Sequence, residues 1–191
     1  WYGKALSNTF VIEAFRTSLT VALSSALLAT IFGTMAALAL QSVKGKTRAV
    51  FDAMIYIAVM VPGIVIGIAT LIAMVTLFDW LNPILAALWP NADAPPQLAL
   101  GYGSLIAAHG LFSMALVIII VRARVAGMDR SLIEASADLG ATPFGTFRQV
   151  TLPQIFPGIL AGFLLAFTFS FDDFIVAFFV AGSNTTLPIY V

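Results

Sequence analysis

Cysteine is absent from this sequence, and charged residues are scarce. The absence of cysteine excludes a disulfide framework and any cysteine-based metal site. Asp, Glu, Lys and Arg make up only 9% of the 191 residues, whereas a soluble domain carries about 25%. The formal net charge is zero, so no basic excess indicates a nucleic-acid partner. The 61% of hydrophobic residues and the mean hydropathy of +1.03 predict an integral membrane protein.

Four long apolar runs are predicted to cross the membrane as helices. They cover about residues 17–40, 50–78, 98–121 and 155–181, and each is long enough for a hydrocarbon core of about 30 Å. The second run is interrupted at Pro62-Gly63, which predicts one kinked helix rather than a straight one. The expected architecture is an all-α, polytopic transmembrane helical bundle.

The segments outside these runs are expected to lie at or beyond the membrane surface. Residues 1–16 mix charged and apolar side chains and are predicted to form a periplasmic or interfacial segment, with Trp1 at headgroup level. Residues 79–96 hold prolines and tryptophans and are predicted to form an exposed loop. The chain starts at Trp1 and stops at Val191 shortly after a new segment begins, so we expect it to be truncated at one or both ends.

Basic residues fix the predicted orientation. They follow the first and third runs, whereas the 79–96 and 182–188 loops contain no Lys or Arg. The two basic groups are Lys44, Lys46 and Arg48, then Arg122, Arg124, Arg130 and Arg148. By the positive-inside rule, both groups face the cytosol.

The polar stretch between the third and fourth runs, residues 129–153, is punctuated by Gly and Pro and is called the elbow below. Its first part predicts a short helix that starts at Ser131, with Ser131 and Glu134 forming a capping box. Gly140 lies where a left-handed glycine would end that helix, and Ala141 completes the turn.

The second part of the elbow predicts another short helix. Thr142 followed by Pro143 is a typical N-cap and first helical residue. This helix is expected to run to about Val150, and Pro153 is expected to stop it. The elbow is therefore predicted to be two short helices at an angle on the cytosolic side.

The elbow resembles the EAA motif of the permease subunits of bacterial ATP-binding-cassette importers of type I. The motif is E-A-A, three residues and G, followed later by Phe, Leu-Pro and Pro-Gly. The matching positions are Glu134-Ala135-Ser136, Gly140, Phe147, Leu152-Pro153 and Pro157-Gly158. Ser136 replaces the second Ala of the motif, which exchanges one small residue for another.

This resemblance implies a partner arrangement. In that family the elbow is the helix that couples to a cytosolic ATPase subunit, so Glu134, Ala135, Gly140, Ala141, Phe147, Leu152 and Pro153 are the expected coupling residues. A second permease subunit and an extracytoplasmic substrate-binding protein are the other expected partners, in the bacterial inner membrane. Gly45-Lys46-Thr47 is not a phosphate-binding loop, because Leu40 stands where the required glycine should be. We expect a non-enzymatic transport subunit without a cofactor.

Asp172 and Asp173 are the most informative charged pair. Acidic residues within a membrane run usually face a cavity or a partner, so the pair predicts a cation-attracting site on the transport path beside Phe171. The alternative is that the helix ends near Phe171 and the aspartates cap the next turn at the outer interface. Residues 170–188 resemble the corresponding stretch of spermidine/putrescine permeases, which implies a polyamine substrate, since carboxylates and aromatic faces suit such cations.

Other interpretations remain open. His109 is predicted to be a structural histidine that is hydrogen-bonded within the bundle, and the alternative is that it lines the path. The Gly63/Gly67 and Gly158/Gly162 pairs are predicted to allow close helix packing. Importers of iron, phosphonate, sulfate or thiamine share the elbow, so the cargo has alternatives. A second class is an ion-gradient-driven transporter in which the aspartates and His109 carry protons.

Overall fold

The computed structural model describes residues 7–89 and 95–191, and the ordered elements in these ranges are helices. The position of Trp1 and the middle of the predicted 79–96 loop lie outside the described residues. The helices are α1 Thr9–Ala39, α2 Gly45–Met60, α3 Gly63–Leu88, α4 Tyr102–Ala126, α5 Ser131–Asp138, α6 Pro143–Thr146, α7 Leu152–Asp172, α8 Ile175–Val180 and α9 Leu187–Tyr190, with a π-helical turn at Phe147–Thr151 between α6 and α7.

Within the described parts of the chain, four helical stretches are long and apolar enough to cross a membrane. They are α1, α3, α4 and the continuous run Pro143–Asp172. The 31 residues of α1 measure about 46 Å at 1.5 Å per residue, which exceeds a core of about 30 Å. Residues 9–16, which belong to the predicted interfacial segment, form the first two turns of α1, and the Asn8 side chain caps that helix by accepting from the Phe10 N–H at 3.0 Å.

Helices α1, α4 and α7 form the centre of the bundle through very small contact residues. A Cβ at Gly33 of α1 would lie 2.9 Å from the Val117 Cβ on α4, and one at Gly158 of α7 would lie 2.8 Å from the Arg124 Cβ. Gly162 likewise faces Val117. Because association of helices in lipid depends on close packing, these glycines hold the three helices together. The predicted role of Gly158 and Gly162 is thus confirmed.

Helix α3 packs mainly on α8 and is largely exposed elsewhere. A Cβ at Gly67 would lie 2.5 Å from the Phe179 ring and one at Gly63 would lie 3.5 Å from Ile175, which confirms the close approach predicted for this pair. Only 6% of the most apolar window of α3 is buried, against 50% of that of α4. The exposed apolar faces of α3 therefore require lipid or another protein.

The predicted single helix over residues 50–78 is wrong in two ways. The chain forms two helices, because Val61 and Pro62 are extended, with ψ angles of 134° and 136°. The residue before a proline disfavours the helical region, and Pro62 has no N–H to continue the ladder. In addition, α2 starts at Gly45, five residues earlier than expected.

The predicted loop from residue 79 is also wrong at its start, because α3 continues to Leu88 with Pro83 inside it. A proline in a helix removes one hydrogen bond, but strong helix formers such as Leu81 and Leu85 surround it here. Asn82 then holds the returning chain, since its side chain accepts from the Leu98 N–H at 2.7 Å and donates to the Leu98 carbonyl at 3.1 Å.

Candidate functional site: the elbow and a buried polar cluster

The start of the elbow differs from the prediction in its cap. Helix α5 begins at Ser131 as predicted, but the N-cap position is Arg130, and no side chain there caps the helix. The predicted Ser131/Glu134 capping box is therefore wrong. Instead the Asp129 carboxylate accepts from the Ser131 N–H at 2.9 Å, and hydrogen bonds from the side chain and backbone of Ser131 hold the pKa of Asp129 below its usual value. Glu134 lies exposed in the first turn of α5, where the helix dipole favours a negative charge.

The turn of the elbow follows the prediction. Gly140 has φ of +78°, the left-handed conformation that favours glycine. Its N–H donates to the Ala137 carbonyl at 2.9 Å, and the Ala141 N–H donates to the Ser136 carbonyl at 3.1 Å. These two bonds form a Schellman motif, which satisfies carbonyls that the end of α5 would leave free. The turn is thus encoded by local chemistry.

The second helix of the elbow starts as predicted and ends differently. The Thr142 hydroxyl caps α6 by accepting from the Gly145 N–H at 3.1 Å, with Pro143 in the first turn. Pro153 does not stop the helix, because the Leu152 N–H donates five residues back to Phe147 in a π-helical turn that runs directly into α7. The wider turn places Pro153 at the beginning of α7, where its missing N–H is tolerated.

The elbow is joined to the bundle and to itself by polar contacts. The hydroxyls of Ser136 and Thr146 lie 3.0 Å apart and join α5 to α6. Arg124 at the end of α4 donates its Nε–H to the Gln154 carbonyl of α7 at 2.8 Å. These contacts join the two helices of the elbow to each other, and α4 to the start of α7.

Large apolar side chains of the elbow are exposed. Leu139 is 88% exposed, Phe144 72% and Leu132 48%. Among the predicted coupling residues, Ala135, Ala141 and Pro153 are exposed, whereas Phe147 and Leu152 are half-buried. Exposed apolar residues outside the membrane runs, on a rigid support, are typical of a protein interface.

The basic end of the bundle carries the elbow, as the charge pattern predicts. Arg122 of α4 forms an ion pair with Asp52 of α2, and Arg48 approaches the same carboxylate at 3.7 Å. These contacts bring both predicted basic groups to one end of the bundle, beside the elbow.

The two adjacent aspartates at the other end of α7 have different surroundings. Asp172 is the last residue of α7 and is exposed. Asp173 is extended, with ψ of 117°, and its Oδ2 accepts from the Ala177 N–H at 2.9 Å, so it caps α8. The same oxygen lies 3.5 Å from His109 Nε2. Phe171 is half-buried, and its ring lies 5.9 Å from that of Phe15.

A buried polar cluster surrounds Asp173. His109 is 3% exposed, and its Nδ1 lies 2.7 Å from the Ser170 Oγ, which confirms a histidine hydrogen-bonded within the bundle. Ser170 Oγ is 2.9 Å from Ser25 Oγ on α1. Ser113 lines the same small pocket as His109 and Asp173, together with Phe112 and Phe169.

Sequence reasoning missed the serines of this cluster. Ser25, Ser113 and Ser170 stand in apolar runs where small polar residues are common, so their spacing carries no signal. Within residues 7–89 and 95–191, no three His, Asp or Glu side chains come together that could hold a metal ion.

These features define a class of protein: a polytopic helical membrane protein with an exposed elbow at its basic end and a buried polar cluster within the bundle. Comparison with known proteins gives the family. A model described as "Binding-protein-dependent transport system inner membrane component" matches residues 29–190, and the chain belongs to this family. The family resemblance that the elbow motif carried is thereby confirmed.

Several characterised relatives match along the whole chain. The chain is 38% identical over 194 residues to "Putrescine transport system permease protein PotI" of Escherichia coli (strain K12) and covers 64% of that protein. It is 32% identical over 192 residues to "Spermidine/putrescine transport system permease protein PotC" of the same strain, of which it covers 66%. The PotC of Haemophilus influenzae is 31% identical over 192 residues, with 67% covered. All of this chain is matched in each case, and it spans about two thirds of each relative's length.

Proposed function

We propose that this chain is the permease subunit of an ATP-driven importer of polyamines such as putrescine and spermidine. The observation that carries the proposal is the combination of an exposed apolar elbow at the basic end with a carboxylate, Asp173, held inside the bundle among aromatic side chains. The names of the relatives, which concern putrescine and spermidine transport, support the cargo.

The elbow receives the ATP-driven movement in this proposal. A cytosolic ATPase subunit covers Leu139 and Phe144, and its closure moves α5 and α6 as one unit because Ser136 and Thr146 join them. The contact between Arg124 and Gln154 passes the movement to α4 and α7. Together with a second permease subunit, these helices then open alternately to each side of the membrane, and a substrate-binding protein delivers the cargo from outside.

The acidic pair serves the cargo in this proposal. Asp172 is exposed and attracts the cation, whereas Asp173 lies deeper, is held by its hydrogen bond to α8 and lies beside His109. Phe171, Phe169 and Phe174 lie on the same segment and offer aromatic faces to methylene chains and ammonium groups.

Uptake into liposomes tests the proposal. The full-length protein is reconstituted with its permease, ATPase and binding-protein partners. Uptake of labelled putrescine and spermidine is then measured with and without ATP on the side of the membrane that carries the ATPase. We expect uptake that requires ATP and is insensitive to an uncoupler. Uptake that persists without ATP but collapses with an uncoupler would instead identify an ion-gradient-driven transporter. ATPase stimulation without polyamine uptake would keep the importer class and reject the cargo.

A further inference from the structure

The polar cluster around Asp173 has a defined direction of hydrogen bonding. The Ser25 hydroxyl donates to the Ala22 carbonyl at 3.3 Å, and a carbonyl can only accept. With that proton assigned to the carbonyl, Ser170 donates across the contact of 2.9 Å between the two hydroxyls. Ser170 has then used its own proton, and at 2.7 Å it accepts from the Nδ1–H of His109.

This direction fixes the role of the other imidazole nitrogen. A neutral imidazole that carries its proton on Nδ1 has a bare lone pair on Nε2. The His109 Nε2 has no hydrogen-bond partner and is buried. It lies 3.5 Å from the Asp173 Oδ2, which is longer than the 2.7–2.9 Å typical of a direct charge-assisted hydrogen bond. Two acceptors thus face each other with no proton between them.

A third acceptor completes the arrangement. The Ser113 Oγ is 1% exposed and also lacks a hydrogen-bond partner. Ser113 lies one turn beyond His109 on α4, and both line the small pocket that Asp173 closes. Buried polar atoms without partners are costly, and two of them, His109 Nε2 and Ser113 Oγ, lie beside the Asp173 carboxylate, so the pocket is suited to a donor.

We infer that this pocket binds the terminal primary ammonium group of the transported cation, with Asp173, His109 and Ser113 as its three acceptors. The inference rests on the proposed polyamine function and deepens it by naming the group that is recognised. An –NH₃⁺ group has three donors, and the three acceptors belong to a carboxylate, a neutral imidazole and a hydroxyl. Phe112 and Phe169, with ring centroids 6.4 Å apart, also line the pocket.

His109 is a specificity-determining residue in this arrangement. Protonation of Nε2 would turn an acceptor into a donor beside the cation, so binding should weaken as His109 becomes charged. Few charged groups surround His109. Asp173 is in contact with it, Asp172 is exposed next to Asp173, and α8 carries no charged residue. On α1, the charged residue closest in sequence to Ser25 is Arg16, nine residues before Ser25.

Binding of labelled putrescine to the permease–ATPase complex in nanodiscs, without the binding protein, tests the inference. The two competitors are unlabelled putrescine and its analogue with both nitrogens fully methylated. The analogue keeps the charges but lacks N–H donors. We expect putrescine to compete at least 100-fold better, because a site built for hydrogen bonds strongly rejects an analogue that cannot make them. Ser113→Ala should reduce that ratio about tenfold, the loss of one hydrogen bond to a charged group.

A matched control and a pH series separate recognition from structure. Thr34→Val removes another buried hydroxyl without a partner, outside this pocket, and should leave the ratio unchanged. Wild-type binding should weaken as the pH is lowered far enough to protonate His109, and His109→Gln should remove that dependence.

The outcomes distinguish this inference from the proposed function. Equal competition by the methylated analogue, or an unchanged ratio in Ser113→Ala, would overturn the inference while polyamine transport stands. Binding that tightens as the pH falls, or a pH dependence that His109→Gln leaves unchanged, would equally overturn it, because protonation of His109 would then not oppose the cation. Failure of labelled putrescine to bind or be taken up at all would overturn the proposed cargo and this inference together.

Discussion

Replacement of Gly140 tests whether the shape of the elbow controls transport. Gly140 has φ of +78°, and a Cβ added to it would meet no atom within 4 Å. The cost of a side chain there is therefore conformational and not steric, about 1–2 kcal/mol for an ordinary residue. That cost lowers the population of the native turn about 5- to 30-fold relative to its alternatives. Asn tolerates this conformation, Ala less so, and a β-branched Val least.

The assay is ATP-dependent uptake by the reconstituted full-length importer, measured beside its ATPase rate. We expect uptake to decrease from the wild type through Gly140→Asn and Gly140→Ala to Gly140→Val. Uptake by Gly140→Val should be at least fivefold below that of the wild type while ATP hydrolysis continues. Gly103→Ala is the matched control, because Gly103 also has open space but an ordinary φ, and it should leave uptake unchanged. Full uptake by Gly140→Val would refute the argument that this turn transmits the movement.

Four further outcomes are expected. Asp173→Asn keeps an acceptor for the α8 cap but removes the charge, so polyamine uptake should fall at least tenfold with assembly intact, and loss of assembly on a gel would mark the residue as structural. Phe144→Ser should reduce ATPase binding in a pull-down without changing the thermal stability of the isolated permease, because Phe144 is 72% exposed. Gly67→Leu should destabilise the α3–α8 contact and lower yield in detergent, since Phe179 lies 2.5 Å from the Cβ position. The lowered pKa of Asp129 means that its cap on α5 is present at neutral pH and lost as pH falls through the lowered value, so Asp129→Ala should speed amide exchange in the first turn of α5 at pH 7.

The parts of the fold that follow from local chemistry are those the sequence predicted. The Gly140 turn and the Thr142-Pro143 cap each depend on residues within a few positions, and both appear as expected. The two glycine pairs that were predicted to allow close packing also lie at helix–helix contacts. The two basic groups lie at the same end of the bundle, as their places after the first and third runs predict, and that inference needs no tertiary contact.

Three of the wrong predictions concern proline. Pro62 separates two helices, Pro83 lies within one, and Pro153 begins another, although each lacks the same N–H. The difference comes from the surroundings: an extended neighbour at Val61, helix formers around Pro83, and a π-helical turn before Pro153. These depend on packing and on the register of the whole helix, which a local pattern does not contain.

The buried cluster depends on contacts between residues far apart in the chain. Ser25 and Ser170 are separated by 145 positions, and His109 and Ser170 by 61. The sequence singled out His109 and Asp173 as unusual in apolar runs, but only the fold shows that they face each other. The two alternatives weighed for Asp173 are not exclusive, since one carboxylate caps α8 and also faces the pocket.

The central claim, that the elbow meets a cytosolic ATPase, is tested most directly by cysteine cross-linking. Because this sequence has no cysteine of its own, a single new thiol in a cysteine-free full-length protein reports one position. Leu139→Cys at the elbow should cross-link to the ATPase subunit, and more strongly when ATP is bound. Ser183→Cys, in the loop after α8 at the other end of the bundle, should not. A cross-link from Ser183→Cys to the ATPase, with none from Leu139→Cys, would contradict both the orientation and the coupling role of the elbow.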